Sequence, residues 1–177
     1  ACCLVGSEMC IRDSNKSKVE VLTEIRKSGN LENYHPFCSE NKTDKWPGIG
    51  SIDYVKYLNG LKYRREFIKW DDTGYVLNIG VKKKLAQVEW LVEGNDNSSS
   101  LKIRVSPVLP YKNPIIKFFL WHFYVKYMLK TYLENVVGGF SEYIHTKTRV
   151  EKNKFGKHAW YSSVSYTHLR AHETTRY

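Results

Sequence analysis

NPIIKFFLWHFYVKYMLKTYLENVVGGFSEYIH, residues Asn113–His145, is the stretch whose reading decides the fold. Asn113 offers a polar cap, and Pro114 is the residue best tolerated at a first helical position. No further proline follows within it. Phe118, Val125, Leu129, Leu133, Val136, Phe140 and Ile144 recur at spacings of seven, four, four, three, four and four. That period predicts one α-helix of roughly 30 residues, about 45 Å long. The first half adds Ile115, Phe119, Trp121, Phe123 and Tyr127, so it is apolar almost all round. A helix of that kind is expected to be covered on more than one side. Lys117, His122, Lys126 and Lys130 interrupt it every four or five residues. A membrane span needs ~20 nearly uncharged residues, so the stretch reads as a helix of a globular domain.

The 177 residues around it suit one domain, long enough to bury a real core. Lysine plus arginine number 28 against 18 acidic residues, a formal charge of +10. Of the four cysteines, Cys2, Cys3 and Cys10 crowd the first ten residues and only Cys38 lies in the body. CLVGSEMCIRDS (Cys3–Ser14) resembles a translated sequencing-adapter read, and SYTHLRAHET (Ser165–Thr174) resembles its counterpart from the other end. The expected division is therefore an adapter-like segment at 1–14, a folded domain at 15–163 and a second adapter-like segment at 164–177. A single body thiol with no apolar leader points to a reducing, cytoplasmic setting.

Upstream of the long helix the chain changes period twice. Ser17-Lys18-Val19-Glu20 has the form of a capping box and predicts a helix through Val21, Leu22 and Ile25, with Gly29 as its left-handed cap. The same residues also alternate as a strand would, and helix is the reading we favour. Leu31–His35 reads as a turn or short helix stopped by Pro36. Ser51–Leu58 and Leu61–Trp70 flank Asn59-Gly60, a strong hairpin signal. Tyr75–Val81, Lys84–Glu93 and the alternating Leu101, Ile103 and Val105 continue the series. The layout is α+β: short helices, a curved antiparallel meander of about five or six strands, then one long helix laid across it.

Several stretches now carry a family resemblance. GNLENYHPFCSEN (Gly29–Asn41), WPGIGS (Trp46–Ser51), the segment Asn59–Asp72 with Glu66, VEW (Val88–Trp90) and YLENVVGGF (Tyr132–Phe140) resemble the START/Bet v 1-like superfamily (SRPBCC), whose members include polyketide cyclases and lipid carriers. The resemblance covers nearly all of 17–162. It implies the helix-grip fold, a curved sheet of about six strands wrapped around one C-terminal helix. That family opens with a strand before its first helix. Here that strand falls on the adapter-like residues, so it is expected to be missing or replaced.

The resemblance further implies a cavity between sheet and helix that holds a small apolar ligand, with His35, Tyr54, Arg64, Glu66, Ile68, Trp90, Phe119, Phe123 and Tyr127 as its contacts. His35 is a candidate general base or a structural hydrogen-bonder. Glu66 either orients a polar ligand head beside Arg64 or forms a cross-strand ion pair; alternation puts Arg64, Glu66 and Ile68 on one face and Tyr63, Arg65 and Phe67 on the other. His35, His122, His145 and His158 lack metal-ligand spacing, and there is no phosphate loop or nucleophile elbow, so no metal or cofactor is expected. Lys147, Arg149, Lys152, Lys154 and Lys157 make a basic tail suited to weak contact with an anionic membrane. Nucleic acid is not expected, because stacking aromatics are not interleaved with those charges. Three functions stay in play: a carrier of an apolar molecule, an aromatase/cyclase-like enzyme, and a membrane-surface handler of lipids or quinones.

Overall fold

The computed structural model describes residues 6–163. The adapter-like segment at 164–177 and the first five residues, Cys2 and Cys3 among them, lie outside the described residues. The capping box forms as expected: Ser17 Oγ accepts from Glu20 N at 3.1 Å and opens α1 (Lys18–Ile25). Its apolar face of Val21, Leu22 and Ile25 is buried. α1 closes at Arg26, not at Gly29, whose φ of +70° serves the loop into α2 (Leu31–Tyr34).

Among the described residues seven strands form one antiparallel sheet in the order β1-β7-β6-β5-β4-β3-β2. Five match the stretches read from the sequence: β3 (Ile52–Tyr57), β4 (Lys62–Asp71), β5 (Gly74–Gly80), β6 (Lys84–Gly94) and β7 (Ser99–Pro107). The predicted hairpin turn is present, with Gly60 at φ +89° and Tyr57 N donating to Leu61 O at 2.8 Å. Two strands lie beyond the expected ones. β1 (Glu8–Ser14) pairs with β7 and fills the edge expected to be vacant or replaced, using residues of the adapter-like run. β2 (Cys38–Lys45) pairs with β3 at the opposite edge. Its sequence CSENKTDK carries almost no apolar residue, so hydrophobic alternation gave no signal there.

The long helix runs from α3 (Pro114–Leu120) through one π-helical turn (Trp121–Val125) into α4 (Lys126–Thr146). Asn113 caps it, its side chain accepting from Ile115 N at 2.9 Å. Val125, Leu129, Leu133, Val136, Phe140 and Ile144 are all buried, as the stripe predicted. Phe118 is not. The first half is covered on one side only: Trp121 and Val125 are buried, but no residue of α3 is, and Phe119, Phe123 and Tyr127 face outward. The sheet and α2 pack along α4, whereas among the described elements α3 makes extended contact only with the π turn.

Gly139 sets how closely α2 docks on α4. A Cβ there would stand 2.2 Å from Tyr34 O, so only glycine admits this approach. Gly138, one position along, would place its Cβ at an ordinary 3.4 Å from the Phe155 ring. Gly139→Ala is expected to cost about 1–3 kcal/mol through overpacking, whereas Gly138→Ala should be neutral or stabilise by up to ~1 kcal/mol through helix propensity. Urea unfolding of the two variants checks the pair.

Candidate functional site

Between the concave sheet face and α4 lies a cavity of about 420 Å³. Its walls come from alternate residues of the strands, such as Leu77, Val88, Ile103 and Val105, and from the inner stripe of α4 at Val125, Leu129, Leu133 and Val136. Strand periodicity and helix periodicity thus point at one volume. The C-terminal half of α4 closes it: Phe140 and Tyr143 pack on Tyr34, with ring centroids 5.1 and 5.9 Å away. That half is solid core. The space lies beside the N-terminal half.

A few polar groups face this apolar volume. His35 sits at the end of α2, where the following proline favours extended backbone, observed at φ −87° and ψ 113°. Its Nδ1 accepts from Phe37 N at 3.2 Å, so a neutral ring carries its proton on Nε2. Nε2 lies 2.9 Å from Tyr132 Oη, which lies 3.1 Å from Tyr57 Oη. Burial holds the His35 pKa down to about 3, with Lys152 and Arg65 adding to the effect. Burial also raises Tyr132 to about 12 and Tyr57 well above its usual value, so both are neutral phenols. The group therefore brings three protons to two hydrogen-bonded links. One phenolic O–H is left without a protein acceptor among the described residues, on a residue that lines the cavity.

Beneath this cluster lies a buried ion pair. Arg65 Nε and Nη2 grip Asp53 Oδ1 and Oδ2 at 2.7 and 2.5 Å, with side chains 8% and 1% exposed. Burial works against the guanidinium charge, but the carboxylate outweighs it and holds Arg65 above its ordinary value. Asn41 Nδ2 donates to the same carboxylate at 3.1 Å. Arg65 lines the cavity, but its charge is already answered from below.

Of the residues expected at the ligand, His35 and Trp90 line the cavity. Arg64, Glu66 and Ile68 sit on the other face of β4, and Tyr54 on the outer face of β3. The inward set is Tyr63, Arg65 and Phe67, the face not chosen from the sequence. Arg64 Nη1 meets Glu66 at 2.7 Å with both side chains well exposed, an ion pair within β4 and not the cross-strand one expected for Glu66. Phe119, Phe123 and Tyr127 belong to the uncovered side of the helix and do not line the cavity. Tyr57, Arg65 and Tyr132 went unnamed as site residues. Inward alternation marked Arg65, and Tyr132 lies one residue before Leu133 of the helical stripe. Among the described residues no cluster of metal-type ligands forms, and no helix is long and apolar enough to cross a membrane.

Two measurements follow from these groups. Asp53→Asn strands the Arg65 charge and should cost about 3–5 kcal/mol in urea unfolding, while replacing both partners with apolar residues should restore much of that. His35 stays neutral in the folded state down to about pH 3, whereas its unfolded form takes a proton below about 6.5. Its contribution is therefore complete above about pH 6.5 and is lost as pH falls, at up to ~1.4 kcal/mol per pH unit. His35→Gln should remove that part of the acid slope, read as the difference between variant and wild-type unfolding curves across the range.

No family model and no curated protein matches the chain. Solved structures do. DynU16, a protein of the dynemicin biosynthetic locus, superposes with a TM-score of 0.62 at 14% identity over 82% of this chain, which spans 50% of that protein's length. Ara h 8.0201 gives 0.58 at 15% identity, over 80% of this chain and 99% of its own. A START superfamily protein from Mycobacterium smegmatis gives 0.58 at 10% identity, over 80% and 99%. Sheet order, the long helix packed on the concave face and these superpositions agree: the chain has the helix-grip fold of START/Bet v 1-like proteins.

Proposed function

We propose that the protein is a carrier that holds one small, mostly apolar molecule bearing a single hydrogen-bond acceptor. A phenolic O–H at the Tyr57–Tyr132 pair with no acceptor among the described residues, facing a mostly aliphatic and aromatic cavity of about 420 Å³, carries this reading. The volume lies within the usual ~300–1,000 Å³ of small-molecule sites, and a few placed polar groups in an apolar wall are their common pattern. A carbonyl or ether oxygen would accept the spare proton.

DynU16 comes from a biosynthetic locus, which keeps a cyclase-like enzyme as the second reading. Such chemistry needs a proton acceptor poised near neutrality. His35, held at about 3, is a poor base there, and Glu66 is on the wrong face of the sheet. Those two facts favour carriage over turnover.

2-Acetylnaphthalene and 2-ethylnaphthalene, matched in shape and differing in one carbonyl, test the carrier by fluorescence titration. Both should bind with one molecule per chain, the ketone tighter by about 0.5–1.5 kcal/mol. Adding His35→Leu to Tyr57→Phe and Tyr132→Phe, so that the His35 Nε2–H released by loss of Tyr132 is removed as well, should abolish most of that preference and leave the hydrocarbon affinity nearly unaltered. Absence of binding by either compound would mean that the volume is ordinary core. Turnover of a poly-β-keto substrate that His35→Gln abolishes would establish the enzyme reading instead.

A further inference from the structure

The end of the grip where the cavity opens carries a surface with a chemistry of its own. β4 begins, β5 ends, β6 begins and β7 ends there, as the pairs Arg64 with Gly80, Gly80 with Lys84 and Ala86 with Pro107 require. Val108 N donates to Leu85 O at 2.7 Å, so the chain leaves for α3 from the same end. Tyr124 Oη accepts from Trp160 Nε1 at 3.0 Å, and Asn59 Nδ2 in the β3–β4 turn donates to Trp160 O at 2.6 Å. Those contacts bring the π turn and the hairpin tip to this end too. Leu61 and Leu85 both line the cavity and are exposed, which places its opening here.

Beside that opening the helix shows an uncovered apolar stripe. Ile115, Phe119, Phe123 and Tyr127 follow one another at four-residue spacing and are 64%, 54%, 75% and 66% exposed. The Phe119 and Phe123 rings stack with centroids 5.8 Å apart. Val81 and Val108, on the neighbouring strand ends, are exposed as well. Contiguous apolar surface of this kind marks an interaction site far more than scattered single residues do.

The charge around it is predominantly positive: of the nearby carboxylates, Glu66 is paired with Arg64, and Glu8 lies opposite Val105 on β1. Lys82, Lys83, Lys84, Lys112 and Lys126 are exposed at this end, and residues 54–65, 73–88 and 97–133 contain no aspartate or glutamate. A second copy of the chain would set these lysines against their own kind. An anionic lipid surface satisfies both features at once, taking the apolar stripe below the headgroups and the lysines among them. The basic tail is a weaker candidate, since Lys147 pairs with Glu20 and Glu24, Lys154 with Glu142, and Lys152 donates to Glu32 O and His35 O.

We propose that the Ile115–Tyr127 stripe and the lysine-bearing β5–β6 tip dock the protein on anionic lipid bilayers, with the cavity opening facing the membrane. This surface is independent of what the cavity holds. Co-sedimentation of the full chain with phosphatidylcholine vesicles, with and without phosphatidylserine, tests it. Binding should require phosphatidylserine and weaken with salt. Replacing Lys82, Lys83 and Lys84 by glutamine should lower the partition coefficient on the order of 100-fold, and Phe119→Ser with Phe123→Ser by about tenfold or more. All five positions are exposed, so both variants should keep the wild-type circular dichroism and naphthalene binding. Absence of phosphatidylserine-dependent binding overturns the proposal, and so does binding that neither variant weakens. A dimer in sedimentation velocity that the phenylalanine variant disperses, with no vesicle binding, would assign the stripe to a second copy and also overturn it.

Discussion

The Asp53–Arg65 pair fixes which way the sheet faces. The two residues stand directly opposite each other in the β3–β4 register, both on the concave side and both buried. In a low-dielectric interior neither charge is tolerable alone, so the pairing must be met in full or not formed. A one-residue slip of β4 against β3 would turn Arg65 outward and leave Asp53 stranded, a penalty that apolar strands lack. Once that register holds, Tyr63 and Phe67 go inward with Arg65, and the cavity floor is set.

This pair also explains the main error in reading the site from sequence. A run such as Lys62-Tyr63-Arg64-Arg65-Glu66-Phe67-Ile68 has a charge on each face, so alternation alone cannot tell inside from outside. The partner that decides it, Asp53, is twelve residues away in sequence. Long-range electrostatic pairing leaves no periodic trace. The α4 stripe, by contrast, was fully legible from Val125 to Ile144, because every turn repeats the same requirement for burial. Its phase fails at Phe118 since the π turn inserts an additional residue between them, a rotation of roughly 100°.

The hydrogen-bonded cluster was half legible. His35 stood out as an isolated titratable group before a proline, but its low basicity is a product of burial, which the sequence does not state. Tyr132 and Tyr57 come from a helix and a strand 75 residues apart. Gly139 helps bring them to His35, since the near contact with Tyr34 O seats α2 on the face of α4 that also carries Tyr132. A glycine whose local pattern shows only a weak helix position thus helps to set the polar geometry of the cavity.

β2 is the edge strand that hydrophobic pattern missed, and its polarity bears on how the molecule behaves when concentrated. An unpaired strand edge is a template on which another chain can add, and polymerisation through such edges needs a long, regular row of free donors and acceptors. Here the row is broken: the register shifts between Cys38 and Glu40 and again between Thr43 and Lys45. Glu32 Oε1 accepts from Asn41 N at 2.7 Å, and Ser28 Oγ engages Thr43 Oγ1 at 2.8 Å, so the loop after α1 and the short α2 occupy part of the edge. Glu40, Lys42, Asp44 and Lys45 put charged side chains along the remainder, which a pairing strand would have to accommodate. The composition that made β2 invisible to a reader of sequence also leaves a neighbouring chain little on which to build fibrils.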